Sequence, residues 1–288
     1  MKKAFLVGIN KYSSAPLNGC VNDVLLMYKI LSEKFGFNTN DINIITDQQA
    51  TKSNIISGLQ KLTSNLTPND TILFHYSGHG SQVIVNDWTN NPEPDGRDEI
   101  LCPYDLDWND PLRDNDLNSI FKNIPKGVKS IILLDCCHSG TGLRDNPILP
   151  TSPHYGKMKN KFISAPVANI LSNPLVFLDD NLDYIFPEID KSNIQTQLNK
   201  FMVNTVDQAN AILLSGCKDN QTSADAYIGG RYHGAFTYSL VQTLSKFSFK
   251  ISYFELINEI NKTISKLQFK QIPQLECKQE FFNTIFLE

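Results

Sequence analysis

Short apolar runs that alternate with helical stretches are the feature of this sequence that most limits its fold. Residues 130–135, SIILLD, carry no polar alternation, and residues 210–217 repeat that pattern. Such runs indicate strands buried on both faces. Residues 4–9, 42–47 and 70–78 complete five predicted strands. The pattern predicts an α/β fold in which helices flank both faces of a mostly parallel central β-sheet.

Helical periodicity fills most of the stretches between these strands. Residues 20–37 place six apolar side chains on one helical face, which we expect to pack on the sheet: Val21, Val24, Leu25, Tyr28, Leu31 and Phe35. Further helices are predicted at residues 51–66, 116–125, 234–246 and 252–267. Residues 144–205 break the rhythm, because their first part is rich in Pro, Lys and Asn without a clear period. We therefore expect one domain, 1–288, interrupted by a partly flexible linker at about 146–205.

Composition and charge exclude several classes of function. The net charge is −4, and no Lys/Arg stripe is interleaved with aromatic residues, so we expect no nucleic-acid partner. No run approaches the roughly 18 to 20 apolar residues of a membrane span, and the opening apolar run is too short for a signal peptide. Six cysteines are spread irregularly through the chain, which favours a reducing, cytoplasmic setting over a disulfide-rich secreted one.

Two of the predicted strands end in chemically reactive turns. His79 lies between Gly78 and Gly80 directly after the strand at 70–78, and two adjacent cysteines follow the strand at 130–135. Ligands of open α/β sheets bind outside the carboxyl ends of the strands. A histidine and a cysteine on neighbouring strand ends would therefore meet, and the imidazole could take a proton from the thiol.

Only one thiol of the adjacent pair can face such a cleft. If the extended backbone continues, Cys136 and Cys137 point to opposite sides. We assign Cys137 as the nucleophile, and its backbone N–H together with that of Gly80 would form an oxyanion hole. Cys136 is then a small buried side chain. The pair lacks the C-x-x-C spacing of a zinc or redox site.

The motifs around these turns resemble those of metacaspases and of their bacterial counterparts, the orthocaspases. HYSGHG precedes DCCHSG by about sixty residues, and four further stretches match: GINKYSSAPLNGCVND, DEILCPYD, LLSGCKDNQTSADA and HGAFTYSL. The resemblance implies a caspase-like fold and a thiol protease with His79 and Cys137 as its dyad. It equates about 1–145 with the large-subunit part of the fold and about 206–288 with the small-subunit part. We expect a type I-like chain without a zinc-finger, proline-rich or death-type prodomain.

The resemblance also implies a substrate pocket that binds a basic side chain. Metacaspases place an acidic pocket around the residue before the cleaved bond, and the matching residues here are Cys20, Asp23, Ser77 and Asp135. Two carboxylates favour Arg or Lys, because charge-assisted hydrogen bonds contribute about 1.5 to 3 kcal/mol each. Asp135 could instead accept hydrogen bonds from loop amides, and Asp23 could simply stabilise the start of a helix. By resemblance alone, Asp225 closes the cleft.

Calcium binding is a further expectation from the resemblance. Many metacaspases need Ca²⁺, and hard cations bind several carboxylate oxygens at once. The matching ligands would be Asp95, Asp98, Asp114, Asp116 and Asp145. The sequence RDNDL stands where the family has adjacent aspartates, which leaves this ligand set open. The same acidic stretch could be a solvated loop.

Basic residues in the linker are candidate sites of self-cleavage. A protease specific for Arg or Lys could cut its own chain after Arg144, Lys157, Lys159 or Lys161, and such a chain would be a zymogen. A lysine-rich loop is also commonly just solvated. Members of the family are commonly monomeric, and we expect a monomer.

Two other functions are compatible with the fold. A catalytically silent binding or regulatory module would be expected to lose His79 or Cys137, and both are present. A related peptidase that cuts after Asn or Asp would need a basic pocket, whereas Asp23 and Asp135 are acidic. The sequence therefore favours an endopeptidase that acts on proteins or peptides after Arg or Lys.

Overall fold

A six-stranded sheet forms the centre of the computed structural model, which describes residues 1–84, 97–137, 156–166, 211–218 and 221–288. In spatial order its strands are Gln274–Glu276 (β12), Ala211–Ser215 (β9), Lys129–Asp135 (β7), Thr71–Ser77 (β3), Lys2–Gly8 (β1) and Ile42–Thr46 (β2). The five strands from β9 to β2 are parallel, and only the edge strand β12 is antiparallel. The predicted, mostly parallel α/β sheet is therefore confirmed.

Helices cover both faces of this sheet. They are Cys20–Lys34 (α1), Lys52–Thr63 (α2), Asp114–Phe121 (α3), Ala235–Lys246 (α4) and Tyr253–Lys266 (α5). Helices α1, α4 and α5 bury their apolar side chains in one core layer, and α2 and α3 do so in the other. Alternate residues of β7 supply the two layers, as the period of a strand requires. None of the helices in the described ranges is long and apolar enough to cross a membrane.

Two small antiparallel sheets lie beside the main sheet. One contains Gly80–Ile84 (β4), Arg97–Leu101 (β5) and Leu112–Arg113 (β6), and the other contains Met158–Asn160 (β8), Ala224–Ile228 (β10) and Arg231–Gly234 (β11). Short 3-10 turns occupy Thr39–Asp41, Asp47–Gln49 and Gln279–Phe281. The sequence patterns predicted none of these strands, because each is only two to five residues long. Sheet β4–β5–β6 begins three residues after β3 ends.

The buried face of α1 differs from the predicted one. Leu25 is 56% exposed, and Val21 and Tyr28 are only partly buried. The buried residues are Cys20, Asp23, Val24, Met27, Ile30 and Leu31. The prediction is confirmed for Val24, Leu31 and Phe35 and wrong for Leu25. It counted apolar residues alone, whereas this helix also turns an aspartate inward, where hydrogen bonds compensate its burial.

The corrected face makes two leucines of α1 a matched test. Leu31 is fully buried in the core layer, so Leu31→Ala is expected to lower the free energy of unfolding by about 2 to 5 kcal/mol. Leu25→Ala is expected to change it by no more than about 0.5 kcal/mol. Urea denaturation of both variants measures the difference. Equal losses would mean that the helix is rotated toward the face that periodicity predicted.

Candidate active site

The turns that follow β3 and β7 touch each other at the carboxyl end of the sheet. Ser77 and Asp135 are paired across the two strands, and the Gly78 N–H donates to the Asp135 carbonyl oxygen over 3.4 Å. A Cβ atom on Gly80 would overlap the carbonyl oxygen of Cys137. Any larger residue at position 80 would therefore push the two turns apart.

The His79 ring is held in one tautomer by a backbone carbonyl. Its Nε2 lies 2.7 Å from the Ala15 oxygen, which can only accept, so Nε2 carries the proton. Nδ1 is buried and has no hydrogen-bond partner among the residues that the structure describes. Burial lowers the pKa of His79 to about 4, so the ring is neutral near pH 7 and Nδ1 is its basic atom. Ala15 has a φ of 54°, a left-handed conformation unusual for alanine, and this backbone aims its carbonyl at the ring.

The Cys137 sulfur points to the strand β10 side of the cleft. It accepts a hydrogen bond from the Ser223 N–H over 2.7 Å and lies 3.6 Å from the Ser223 carbonyl oxygen. Within the described residues, the His79 and Cys137 side chains share no hydrogen bond. Cys136 packs in the opposite direction, in the core layer under α2 and α3. The two groups of the candidate dyad thus share one rim of the sheet without being bonded in this conformation.

A lysine of the chain itself fills the predicted acidic pocket. The Lys161 side chain is completely buried, and its Nζ lies 3.0 Å from Asp135 Oδ1 and 3.5 Å from Asp23 Oδ2. Nζ also donates to Ser77 Oγ over 2.9 Å and to the Asp135 carbonyl oxygen over 3.1 Å. Burial alone would lower the pKa of Lys161, but the surrounding anionic groups, Asp135 foremost, hold it well above its usual value. Cys20 is fully buried in the same region.

Asp135 is fixed by hydroxyl and amide donors as well as by the lysine. Its Oδ2 accepts from Thr237 N over 2.9 Å and from Thr237 Oγ1 over 2.7 Å, and its Oδ1 accepts from Ser223 Oγ over 2.8 Å. Burial would raise the pKa of Asp135, but Lys161 and the Thr237 donors bring it below its usual value. His75 Nε2 lies 3.2 Å from Thr237 Oγ1 and must donate, because that hydroxyl gives its proton to the carboxylate.

Asp23, the second carboxylate beside Lys161, is also fixed by hydrogen bonds. It accepts from Ser77 Oγ over 2.7 Å and from Gly234 N over 2.9 Å, and His233 Nδ1 lies 3.1 Å away. Gly234 precedes α4 and Thr237 lies in its first turn, so both pocket carboxylates meet the positive end of this helix. Asp135 therefore does bind a backbone amide, one of the alternatives that the sequence left open, and it faces the pocket as well.

The backbone around Lys161 crosses the site in an extended form. The Lys161 carbonyl oxygen accepts from Gly80 N over 3.0 Å and from Cys137 N over 3.3 Å, the two amides predicted to form the oxyanion hole. The Lys161 N–H donates to the Ser223 carbonyl oxygen over 3.0 Å. Just before it, β8 pairs with β10 in antiparallel register. Residues 158–161 thus lie as an added strand along one wall of the cleft.

The remaining self-cleavage candidates lie elsewhere. Lys157 is exposed, with its Nζ 5.9 Å from the ring centre of Tyr227. The Lys159 Nζ donates to the Pro16 carbonyl oxygen over 2.5 Å. Arg144 lies outside the described residues. Lys161 alone among the described candidates has its ammonium between the pocket carboxylates.

The described aspartates do not by themselves form a cation site. Asp98 pairs with the Arg113 guanidinium, Asp116 Oδ2 accepts from Arg113 N over 3.0 Å, and Asp114 accepts from the next backbone amide over 2.7 Å. In the ranges that the structure covers, no group of three His, Cys, Asp or Glu side chains could hold a metal ion. The other two predicted ligands, Asp95 and Asp145, lie outside the described residues. Three described aspartates alone therefore do not fit Ca²⁺.

Several residues that shape this site were not predicted individually. Ser223 and Thr237 lie within two of the C-terminal motifs, so the motifs were the only sequence signal for them. The Ala15 carbonyl left no signal, because any residue supplies one. Asp225, in contrast, was named from the resemblance: it lies opposite Lys159 across β8 and β10, accepts from Asn18 N over 2.6 Å, and burial raises its pKa to about 6.

Comparisons with known proteins identify the family. The model of the "Metacaspase, peptidase C14 domain" matches residues 2–146. Over 96% of its length the chain is 35% identical to Metacaspase-1 of Debaryomyces hansenii and to Metacaspase-1 of Scheffersomyces stipitis. It spans 64% of the first relative and 70% of the second. The chain belongs to the metacaspase family of C14 peptidases, as the sequence motifs predicted.

Solved structures support the caspase-like fold. The chain superimposes on protein GSU0716 from Geobacter sulfurreducens with a TM-score of 0.64 and 25% identity, covering 98% of this chain and 97% of that one. With Caspase-1 from Spodoptera frugiperda the TM-score is 0.55 at 12% identity, covering 96% and 86%. The second likeness concerns the fold alone, and it confirms the predicted architecture.

The buried histidine behind the pocket makes the stability of the protein sensitive to acid. Burial lowers the pKa of His75 to about 4, whereas an unfolded histidine titrates near 6.5. Between these pH values the unfolded chain binds the extra proton, so the imidazole destabilises the fold progressively as pH falls from about 6.5 to 4. His75→Gln is expected to flatten the pH dependence of the unfolding free energy by up to about 1.4 kcal/mol per pH unit. Urea titrations at several pH values measure this slope, and parallel curves for both proteins would contradict it.

Proposed function

We propose that this chain is a cysteine endopeptidase that cleaves proteins after Arg or Lys through a His79–Cys137 dyad and a thioester acyl-enzyme. Membership of the metacaspase family supports the peptidase class. The observation that carries the specificity is the position of Lys161, which occupies the site as a substrate residue would.

Three contacts of Lys161 together define a substrate position. Its side chain is bound between carboxylates, its carbonyl oxygen is bound by the amides of Gly80 and Cys137, and its own amide is bound by Ser223. A neutral side chain would leave buried carboxylates without a cation, and an acidic one would be repelled. Each charge-assisted bond is worth about 1.5 to 3 kcal/mol, which corresponds to a preference of about 10- to 150-fold.

The residues support acyl transfer by the following steps. A rotation about χ1 of Cys137 would move the sulfur from Ser223 N toward the substrate carbonyl carbon, and His79 Nδ1 would take the thiol proton. The thiolate attacks, and the negative charge on the carbonyl oxygen is stabilised by the amides of Gly80 and Cys137. His79 then protonates the leaving amine, and water hydrolyses the thioester. Throughout, the Ala15 carbonyl keeps Nδ1 available.

Self-processing follows from the same arrangement. The bond after Lys161 is the one whose carbonyl lies on the two amides, so we propose that the chain cleaves itself between Lys161 and Phe162. Until that bond is cut, residues 158–163 would exclude other substrates. The uncut chain would therefore be a zymogen with its inhibitory segment already bound.

Substitutions at position 161 test specificity and self-cleavage together. Wild-type protein is expected to yield fragments 1–161 and 162–288, because Lys161 is the one candidate among the described residues with both its ammonium and its carbonyl bound in the site. Lys161→Gln is expected to slow this cleavage by on the order of 100-fold, since the carboxylates lose their cation. Lys161→Arg is expected to retain it. Intact-mass spectrometry over a time course measures each rate.

Two controls complete this experiment. Cys137→Ala should abolish cleavage, and Lys157→Gln, which changes an exposed lysine nearby, should leave it unchanged. Cleavage of Lys161→Gln at the wild-type rate, or fragments that end at residue 157 or 159, would contradict the assignment. If none of these proteins cleaves itself, and none cleaves an added peptide with Arg or Lys, the alternative of a catalytically silent caspase-fold module is favoured.

Calcium stimulation is a separate proposal that rests on the family resemblance and on the acidic sequence around residues 95–116 and 145. Addition of Ca²⁺ to metal-free protein is expected to raise the rate of self-cleavage, and Mg²⁺ is not, because Ca²⁺ accepts more carboxylate oxygens in irregular geometry. The same rate in excess chelator and in Ca²⁺ would contradict it. The six cysteines, all of which lie in the described residues, form no disulfide, which supports the proposal of a reducing, cytoplasmic location. A monomer is proposed from the resemblance.

A further inference from the structure

The bound segment continues past Lys161 along the edge of β4. Phe162 pairs with Gly80 through an isolated parallel bridge. The Ile163 N–H donates to the Gly80 carbonyl oxygen over 3.2 Å, and the buried Ser81 hydroxyl donates to the Ile163 carbonyl oxygen over 2.5 Å. The two residues after the candidate cleavage site are therefore fixed by backbone contacts that any substrate sequence can make.

The side chain at the second of these positions lies at a distinct cavity. Ile163 borders a cavity of about 340 Å³ whose lining is mostly polar, with Leu106 and Trp108 beside Tyr12, Ser13, Ser14, Tyr104 and Asp105. Ile163, Leu106 and Trp108 all pack against the core layer that α2 and α3 cover. The next residue, Ser164, is exposed.

We propose that this cavity is a specificity subsite for the residue two positions after the cleaved bond, and that it selects aliphatic side chains over acidic ones. This inference rests on the proposed function and extends it to the side of the substrate that leaves first. An aliphatic side chain keeps the packing that Ile163 makes against the core layer beside Leu106 and Trp108, the apolar part of the lining. An acidic side chain loses that packing and lies near Asp105, which also borders the cavity and whose Oδ1 accepts from Lys52 N over 2.8 Å. The open volume beside Ile163 leaves room for leucine or methionine.

A peptide series tests the subsite without changing the protein. The peptides have the sequence Met-Lys-Asn-Lys-Phe-X-Ser-Ala, taken from residues 158–165, with isoleucine, leucine, glycine or aspartate at X. We expect kcat/KM for isoleucine and leucine to exceed that for aspartate by about 10-fold or more, with glycine between them. Equal rates for all four would overturn the inference.

Two further substrates separate failure of the inference from failure of the proposed function. A fluorogenic Met-Lys-Asn-Lys amide has no residue after the cleaved bond, and a peptide with Gln in place of its second Lys tests the acidic pocket. If the Lys amide is cleaved and the Gln peptide is not, while the residue at X has no effect on the rate, only the proposed subsite is wrong. If no peptide is cleaved, the proposed function fails and this inference fails with it.

Substitution of the cavity wall supplies an independent readout. Trp108→Ala is expected to reduce the isoleucine-to-aspartate ratio of kcat/KM at least threefold, because it removes the apolar surface that distinguishes the two side chains. Phe254→Ala, which removes an exposed aromatic side chain on α5, should leave this ratio unchanged. A ratio that both variants leave unaltered would place the discrimination outside this cavity and contradict the proposal.

A protease-protection experiment needs no catalysis by the chain. In a Cys137→Ala background, Ile163→Asp is expected to speed trypsin cleavage after Lys161, because the side chain no longer packs in the cavity and the segment leaves the cleft more often. Ser164→Asp places the same charge on the exposed neighbouring residue and should have little effect. Equal acceleration by both variants would contradict a specific contact at residue 163.

Discussion

The buried ion group formed by Lys161, Asp135 and Asp23 is the constraint on which the rest of this site depends. Two carboxylates and one ammonium are taken completely out of water, and such burial is tolerated only when hydrogen bonds satisfy every charge. The donors come from the ends of β3 and β11, from the start of α4 and from Ser223, which directly precedes β10. Donors from both halves of the sequence therefore surround the two carboxylates. With the cation removed, the same geometry would hold two adjacent negative charges, which is the physical basis of the proposed preference for a basic substrate residue.

Binding of that charge also fixes the Lys161 carbonyl, which is the reacting group in the proposed self-cleavage. The backbone of Lys161 is fixed at its N–H, its carbonyl oxygen and its side chain, which leaves little freedom to the peptide bond that follows. The groups that would perform the chemistry are less constrained. The His79 ring is fixed by Ala15, whereas the Cys137 sulfur is held by Ser223 and must move before it can attack. The segment around Lys161 is thus firmly bound, whereas the Cys137 sulfur is turned toward Ser223 and away from the position that the proposed attack requires.

Much of this arrangement could be predicted from the sequence. The continuous apolar runs predict buried parallel strands, and parallel strands deliver their carboxyl ends to one edge, which brings the turns of His79 and Cys137 together. The inward rotation of α1 could not be predicted from periodicity, because the burial of Asp23 depends on partners as distant in sequence as Gly234. The binding of Lys161 between the pocket carboxylates could not be predicted either. Lys157, Lys159 and Lys161 look alike in a lysine-rich linker, and only their tertiary contacts separate the exposed lysine from the one bound by the pocket.

The most direct test of the central claim is covalent labelling by substrate-like chloromethyl ketones. In the Lys161→Gln variant the described residues bring no other ammonium to Asp23 and Asp135, so a Met-Lys-Asn-Lys chloromethyl ketone should displace the weakened segment, and mass spectrometry should find a single adduct on Cys137. The account predicts that this reagent reacts on the order of 100-fold faster than the matched reagent ending in aspartate, because only the lysine satisfies Asp23 and Asp135. Equal rates for the two reagents, or an adduct on Cys136 in place of Cys137, would contradict it.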